Sequence, residues 1–232
     1  MIASDLQNRL LERLGDTATG EYVQTGYYTP GEALAWLNAA QRLFVLLTLC
    51  LETTGSLPLS ADTAFYRLLP TFTDWIVPLR VRISGGAKLK PSTLGQLASL
   101  DASWSDSAGT PDRYVVAGFD LFAIYQQPAS SGTTLSLTYA RCPDPLVNPS
   151  DVPEIPVEYH PALIEGAIPL CRAKEGGAEF QKVMANWNLF LDAATRMGDY
   201  VRARNKERGY DRLPVELGRF DRSKMLMETA HA

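Results

Sequence analysis

Residues 151–161 read Asp-Val-Pro-Glu-Ile-Pro-Val-Glu-Tyr-His-Pro, and the pattern of the chain changes there. Prolines recur from Pro143 to Pro161, and a nearly uninterrupted helical pattern then runs to Arg208. Proline fixes φ and cannot donate a backbone hydrogen bond, so residues 141–157 are predicted to form an extended, semi-rigid connector. The sequence therefore predicts that a helical region begins after this connector.

The segment after the connector has apolar residues at spacings of three and four, which places them on one helical stripe. These residues are Phe180, Val183, Met184, Trp187, Phe190, Leu191, Ala194, Met197 and Val201. A helix of roughly 33 residues would be about 50 Å long, more than a small domain needs across its core. Such length is typical of a strut or an assembly surface. Pro169 is expected to kink or break the helix before it, because proline removes the hydrogen bond to the carbonyl of Glu165.

Two further helices are predicted at the beginning of the chain. Residues 2–14 have leucines in helical register and are followed by Gly15, a residue that suits a C-terminal cap. Thr29, Pro30 and Glu32 have the spacing of a capping box, and the helix that they begin is expected to continue to about Thr53 and to end at Gly55.

Between these helical regions the apolar period changes to two, which is typical of strands. Residues 79–83 and 135–139 alternate apolar and polar side chains, and Gly85-Gly86 is a plausible hairpin turn. Strands are predicted at roughly 119–126 and 134–140, and a short helix at 91–100 is expected to turn its leucines inward.

The elements together predict an α+β protein. Its N- and C-terminal helices form a helical bundle that a β-rich region interrupts, and an extended tail follows. The predicted ranges are 1–55 for the N-terminal helices, 56–150 for the β-rich insertion, 151–210 for the connector and long C-terminal helices, and 211–232 for the tail.

Composition limits the classes of function. The chain of 232 residues is 46% apolar, which is enough for a core, and it carries a formal charge of −4. Residues 201–232 hold eight Lys or Arg against five Asp or Glu, so the body, residues 1–200, is acidic and residues 201–232 are basic. An acidic body argues against tight sequence-independent DNA binding, because such binding needs clustered cations.

The cysteines and the apolar runs indicate no export or membrane insertion. Cys50, Cys142 and Cys171 are far apart and lack Cys-x-x-Cys spacing, so they are expected to be reduced thiols. The start of the chain lacks a charged region followed by an apolar core, so no secretory signal is expected. The most apolar run, Leu43 to Leu51, is far shorter than the about 20 residues that a bilayer requires.

No catalytic, cofactor or metal motif is present in the sequence. The candidate bases are His160 and His231, and neither has an identifiable partner; a capping or packing role is expected for His160. The phosphate-binding, dinucleotide-binding and nucleophile-elbow glycine motifs are absent. A non-enzymatic protein without cofactor or metal is therefore expected. Two alternatives stay open, a nucleic-acid-binding module and, less favoured, an enzyme with an unrecognised site.

The C-terminal part of the chain contains more apolar residues than a solubilising terminus requires. One hypothesis is that the tail is disordered in the free protein and becomes ordered in the groove of a partner. Its partner-binding candidates are Tyr210, Arg212, Leu213, Leu217, Arg219, Phe220, Arg222 and Met225. Two polar loops supply a second set of candidate contacts, namely Trp104, Asp106, Gln127 and Ser130.

Four stretches carry a resemblance to a known family. They are Tyr-Tyr-Thr-Pro-Gly-Glu-Ala-Leu-Ala-Trp-Leu-Asn-Ala-Ala-Gln-Arg at 27–42, Trp-Ile-Val-Pro-Leu-Arg-Val at 75–81, Thr-Pro-Asp-Arg-Tyr at 110–114 and Pro-Val-Glu-Tyr-His-Pro-Ala-Leu-Ile-Glu-Gly-Ala at 156–167. With the order of elements around them, they resemble the head-to-tail adaptor, or connector, proteins of tailed bacteriophages, including tubular adaptors of short-tailed phages. The resemblance extends to about residue 210.

This resemblance implies a structural neck protein of the virion, made in the host cytoplasm. It implies a homo-oligomeric ring of about twelve copies beneath the portal protein. The tail residues would bind the portal, and the polar loops would contact a downstream tail or nozzle protein. DNA would pass through the lumen without sequence-specific binding, and no membrane insertion is implied.

Overall fold

The computed structural model describes residues 1–15, 27–118, 120–176 and 183–214. Five α-helices are described in this part of the chain: α1 Ala3–Leu14, α2 Pro30–Thr48, α3 Leu94–Leu100, α4 His160–Arg172 and α5 Met184–Glu207. Short 3-10 helices lie at Val157–Tyr159 and Ala173–Glu175. None of the helices in these ranges is both long and apolar enough to cross a membrane.

The strands described are β1 Glu52–Pro58, β2 Phe65–Arg67, β3 Trp75–Ile83, β4 Lys90–Pro91, β5 Ala108–Gly109, β6 Arg113–Val116, β7 Leu121–Tyr125, β8 Gln127–Pro128 and β9 Thr134–Arg141. They form three sheets with the orders β1-β9-β3, β2-β7-β6-β4 and β5-β8. The mixed α+β class expected from the sequence is therefore confirmed.

The chain forms two compact units. The helical unit contains residues 1–50 and 143–201, and the β unit contains residues 51–142 together with 202–213. Helix α5 supplies residues to both units.

The helical unit is built from helices whose ends the sequence marks well. Gly15 has φ 75° and caps α1, as expected. The Thr29 hydroxyl accepts a hydrogen bond from the Glu32 amide, and the Glu32 carboxylate accepts one from the Thr29 amide, so the predicted capping box is confirmed. Local side-chain chemistry thus determines where α2 begins.

The end of α2 differs from the prediction. The helix stops at Thr48, Leu49 has φ 51°, and strand β1 begins at Glu52. The expected continuation to Thr53 is wrong, because residues 52–58 pair with β9 and that sheet pairing overrides the helical pattern. Gly55 lies within β1, where an added Cβ would collide with the ring of Phe72.

The core of the helical unit is formed by α1, α2, α4 and α5. Phe44 of α2 and Phe190 of α5 are both buried, and their ring centroids are 5.9 Å apart. Helix α4 continues through Pro169 to Arg172, so of the expected kink or break the break is wrong, and a kink stays a prediction. Ile168, Pro169 and Cys171 are all buried, and their packing offsets the loss of one backbone hydrogen bond.

The core of the β unit lies between the two larger sheets. Its buried residues are Leu57, Leu59, Leu68, Phe72, Trp75, Val81, Leu89, Tyr114, Phe122, Ile124, Leu135, Leu137 and Tyr139. The Tyr139 hydroxyl donates to the Asp74 carboxylate at 3.0 Å. Burial, reinforced by that carboxylate, raises the pKa of Tyr139 to about 12, so the phenol is neutral.

One sequence expectation for the β unit is wrong and another is confirmed. The leucines of α3 do not all turn inward, because Leu97 is buried whereas Leu94 and Leu100 are exposed. A helix of seven residues that packs on one sheet through about one turn can bury only part of its surface. The turn at Gly85-Gly86 is present, since Arg82 and Lys88 form an antiparallel bridge across it.

Candidate interaction surfaces

A C-terminal segment, residues 208–213, is docked on the sheet of the β unit. Gly209 has φ 63° and follows the end of α5, and the Asp211 amide donates to the Leu79 carbonyl of β3 at 2.7 Å. The Asp211 carboxylate forms an ion pair with Lys88 Nζ at 2.7 Å and accepts a hydrogen bond from the Tyr114 hydroxyl at 3.2 Å. These contacts attach the segment to β3, to the following turn and to β6.

The environment of Asp211 is largely buried. Its side chain is 9% exposed, and Lys88 Nζ also donates to the Gly209 carbonyl at 2.6 Å. Burial raises the pKa of the Tyr114 phenol, and the neighbouring Asp211 carboxylate raises it further. The phenol is therefore a permanent donor to Asp211 at neutral pH.

Tyr210 lies beside two arginines. The Arg80 guanidinium is 5.2 Å from the centre of its ring and that of Arg208 is 6.0 Å away. Glu52 of β1 pairs with Arg208 and also with Arg204 at 3.2 Å. The end of α5 is thus connected to β1 by ion pairs, and Tyr210 is held by cation–π contacts.

The candidate partner-binding residues of the C-terminal tail fall into two sets, one within the described residues and one outside them. Tyr210 is half-buried by the contacts above, whereas Arg212 and Leu213 are exposed. Leu217, Arg219, Phe220, Arg222 and Met225 lie outside the described residues. The sequence pattern did not reveal Asp211, Lys88 or Glu52 as residues that hold the segment, since their partners lie 97 to 156 positions apart.

The two candidate loops are brought together by the pairing of β5 with β8. Gln127 is 8% exposed; its amide donates to the Ser107 carbonyl at 2.8 Å, and its side chain donates to the Ser105 carbonyl. Gln127 therefore positions the first loop. Asp106 and Ser130 are exposed, and Trp104 packs against Phe65 with ring centroids 5.5 Å apart.

The first loop is also organised by Asp101. Its carboxylate accepts hydrogen bonds from the Ser107 hydroxyl and from the amide and hydroxyl of Ser103. These bonds lower the pKa of Asp101, with the Ser107 bond as the largest cause. The loop is thus a hydrogen-bonded surface in which the serines have defined partners.

A third surface is the proline-rich loop of residues 143–158, a stretch that the sequence predicts as a connector but not as an interaction surface. Asn38 of α2 forms two hydrogen bonds with the backbone of this loop. Its side chain donates to the Leu146 carbonyl at 2.9 Å and accepts from the Leu146 amide at 2.7 Å. The Asp151 carboxylate accepts from the amides of Val147 and Asn148, and these bonds lower its pKa.

The same loop exposes apolar side chains although its backbone is held in place. Val147, Val152 and Val157 are 67%, 56% and 59% exposed. A fixed backbone that presents apolar side chains loses little conformational entropy when a partner covers it. The sequence signal that could have revealed this surface is the placement of valines next to prolines, since Val152 precedes Pro153 and Val157 follows Pro156.

His160 is buried beside the proline-rich loop. Its Nε2 lies 3.0 Å from the Ile155 carbonyl, and its Nδ1 lies 3.2 Å from the amino group of Met1. The expected packing role of His160 agrees with this burial. Over the part of the chain that the structure describes, no group of three His, Cys, Asp or Glu side chains is placed to hold a metal ion.

Comparison with protein families identifies the chain. The family model for the SU10 adaptor protein matches residues 1–214. The chain belongs to the SU10 adaptor protein family. This is a phage head-to-tail adaptor family, so the resemblance seen in the sequence is confirmed. None of the curated proteins compared with the chain matches it.

Membership defines the general role of the chain. A SU10 adaptor is a structural phage protein, and its family is not an enzyme family. The match includes both compact units and the whole C-terminal segment that Asp211 holds. It ends at Pro214, so Leu217 and the later tail candidates lie beyond the matched residues.

Proposed function

We propose that this SU10 adaptor forms a ring of about twelve copies in the neck of the virion, between the portal and the tail. The ring provides a conduit for DNA and a docking surface for tail components. The observation that carries the proposal is the family match, which covers residues 1–214 and includes all the surfaces described above. Synthesis in the host cytoplasm belongs to the same proposal.

The portal protein is the proposed partner of the C-terminal tail of the chain. The ion pair of Asp211 with Lys88 attaches the chain to the β unit three residues before Pro214. Residues 215–232 follow and contain Leu217, Phe220 and Met225 together with Arg219 and Arg222. Apolar side chains supply buried area in a groove, and the arginines supply directional hydrogen bonds. Arg212 and Leu213 are exposed and extend this proposed contact.

The next tail component is the proposed partner of the paired loops. Asp106 and Ser130 are exposed there, and Gln127 and Asp101 organise the backbone around them. A preorganised polar surface of this kind recognises a partner at a small entropic cost.

Passage of DNA follows from the charge of the body. The formal charge of the whole chain is −4, and the basic residues concentrate after residue 200. Acidic walls repel phosphates, so a lumen lined by the body lets DNA slide without sequence-specific binding.

Native mass measurement with a purified phage portal tests the proposal. The full-length chain is expected to form a complex that contains about twelve copies. The test variant is a chain that ends at Pro214, which keeps every described element, including Tyr210, Arg212 and Leu213, and removes Leu217, Arg219, Phe220, Arg222 and Met225. We expect the shortened chain to bind the portal at least about tenfold more weakly. A chain that stays monomeric with the portal present contradicts the ring.

A further inference from the structure

Two segments of the chain each contain charged residues of one sign only, and the two signs are opposite. Residues 75–91, which include β3 and the turn to β4, contain Arg80, Arg82, Lys88 and Lys90 and no acidic residue. The proline-rich loop of residues 143–158 contains Asp144, Asp151, Glu154 and Glu158 and no basic residue. The first segment belongs to the β unit and the second to the helical unit.

The cationic segment has charges that the β unit leaves uncompensated. Lys88 is engaged with Asp211, whereas Arg82 and Lys90 are exposed and have no ion pair among the described residues. Arg80 stacks on Tyr210. The exposed guanidinium of Arg82 and ammonium of Lys90 favour carboxylate acceptors supplied by a partner.

The acidic loop offers such acceptors on a fixed backbone. Asp144 and Glu158 are exposed, and neither side chain has an ion pair within the ranges that the structure describes. Val157 adjoins Glu158 and is also exposed, so the loop combines an apolar contact with a carboxylate. A carboxylate binds a guanidinium more strongly than a neutral acceptor does, and charge complementarity also sets the register of an interface.

We propose that the proline-rich loop of one copy docks on the cationic face, residues 80–90, of a second copy. This inference rests on the proposed ring and assigns its side-to-side interface. Each copy has one acidic loop and one cationic face, so the contact is heterologous and repeats from copy to copy, which is the requirement for a closed ring. DNA is a poorer occupant of the cationic face, because DNA bound there would leave Val152 and Val157 of the proline-rich loop exposed.

Paired charge reversals in the full-length protein test the assignment. Arg82→Glu and Glu158→Lys are each expected to weaken self-association about threefold to tenfold, and the double variant is expected to recover most of that loss. Arg42→Glu and Glu12→Lys are matched controls, since both residues are exposed on helices outside the two segments. The measurement is sedimentation velocity over a range of protein and salt concentrations.

Cross-linking between copies gives an independent readout. A zero-length carboxyl–amine reagent is applied to a mixture of ¹⁴N- and ¹⁵N-labelled protein. Mixed-isotope products that join Lys90 to Asp144 or Glu158 are expected, and Arg82→Glu is expected to reduce them.

The outcomes separate this inference from the ring itself. A ring that forms with equal affinity in both reversed variants overturns the assigned interface and leaves the proposed function standing. A wild-type chain that does not associate, with or without portal, overturns both. Reversals that alter DNA binding but not self-association also overturn the inference, in favour of a nucleic-acid contact at Arg82.

Discussion

The carboxylate of Asp211 lies 2.7 Å from Nζ of Lys88, and this ion pair holds the chain on the β unit three residues before Pro214. The Asp211 side chain is 9% exposed, and Tyr114 and the Leu79 carbonyl complete its surroundings. A buried charge of this kind is stable only while its partners are present. The Asp211 carboxylate is therefore one of the contacts that hold the C-terminal segment on the β unit, beside the backbone bond to Leu79 and the cation–π contacts of Tyr210.

Replacement of Asp211 is expected to release the C-terminal segment. Asp211→Ala leaves Lys88 and the Tyr114 hydroxyl without their acceptor, which should lower the free energy of unfolding by about 1–3 kcal/mol. Limited proteolysis should then cut near Tyr210 faster than in the wild type. Asp106→Ala is the matched control, because Asp106 is exposed and has no ion pair among the described residues. Equal cleavage rates in the two variants would show that Asp211 does not hold the segment.

The attachment of Asp211 also shows what the sequence could not predict. The start of α2 was predictable, because Thr29 and Glu32 are three residues apart and act on one turn of helix. The end of α2 at Thr48 was not, since it depends on the pairing of Glu52 with Ala140 in β9. Asp211 has no neighbour in sequence that marks its role, and its partners lie on other elements.

The candidate surfaces divide in the same way, into features that local sequence predicts and features that depend on contacts distant in sequence. The two polar loops were predictable from their composition, but their pairing through Ala108 and Gln127 was not. The proline-rich loop was predicted to be extended and semi-rigid from its prolines alone. The hydrogen bonds between Asn38 and Leu146 supply a further constraint, and they join residues 108 positions apart.

The close approach of α4 and α5 gives a second prediction. A Cβ added at Gly166 would lie 2.5 Å from Cδ2 of Phe190, which is buried and cannot move freely. Gly166→Ala should lower the free energy of unfolding by about 1–2 kcal/mol, because the steric cost exceeds the gain in helix propensity. Gly95→Ala on α3 is the control, since a Cβ there meets nothing within 4 Å. Chemical denaturation compares the two, and a stabilised Gly166→Ala variant would contradict this packing.

The anchoring of the proline-rich loop gives a third prediction. Asn38→Ala removes both hydrogen bonds to Leu146, whose backbone is buried with its side chain. The expected loss of stability is about 1–3 kcal/mol, and amide hydrogen exchange in residues 143–151 should accelerate. Arg42→Ala, on the exposed face of the same helix, is the control. Gln41 also donates to the Asp144 carbonyl at 3.0 Å, so exchange that remains as slow as in the wild type would mean that Gln41 and Asp151 suffice to hold the loop.

The pairing of Glu32 with Lys174 gives a prediction about pH. The hydrogen bond from Lys174, at 2.8 Å, is the largest cause that lowers the pKa of Glu32 to about 2, and bonds from Thr29 add to it. The ordinary pKa of this carboxyl is 4.5, so its contribution to stability is complete above that pH and is lost as the pH falls toward 2. Glu32→Gln should therefore flatten the decline of the thermal midpoint between pH 5 and 2. Glu12→Gln, an exposed residue of α1, should leave the profile parallel to that of the wild type. A Glu32 side-chain NMR titration with a midpoint near 4.5 would refute the pairing.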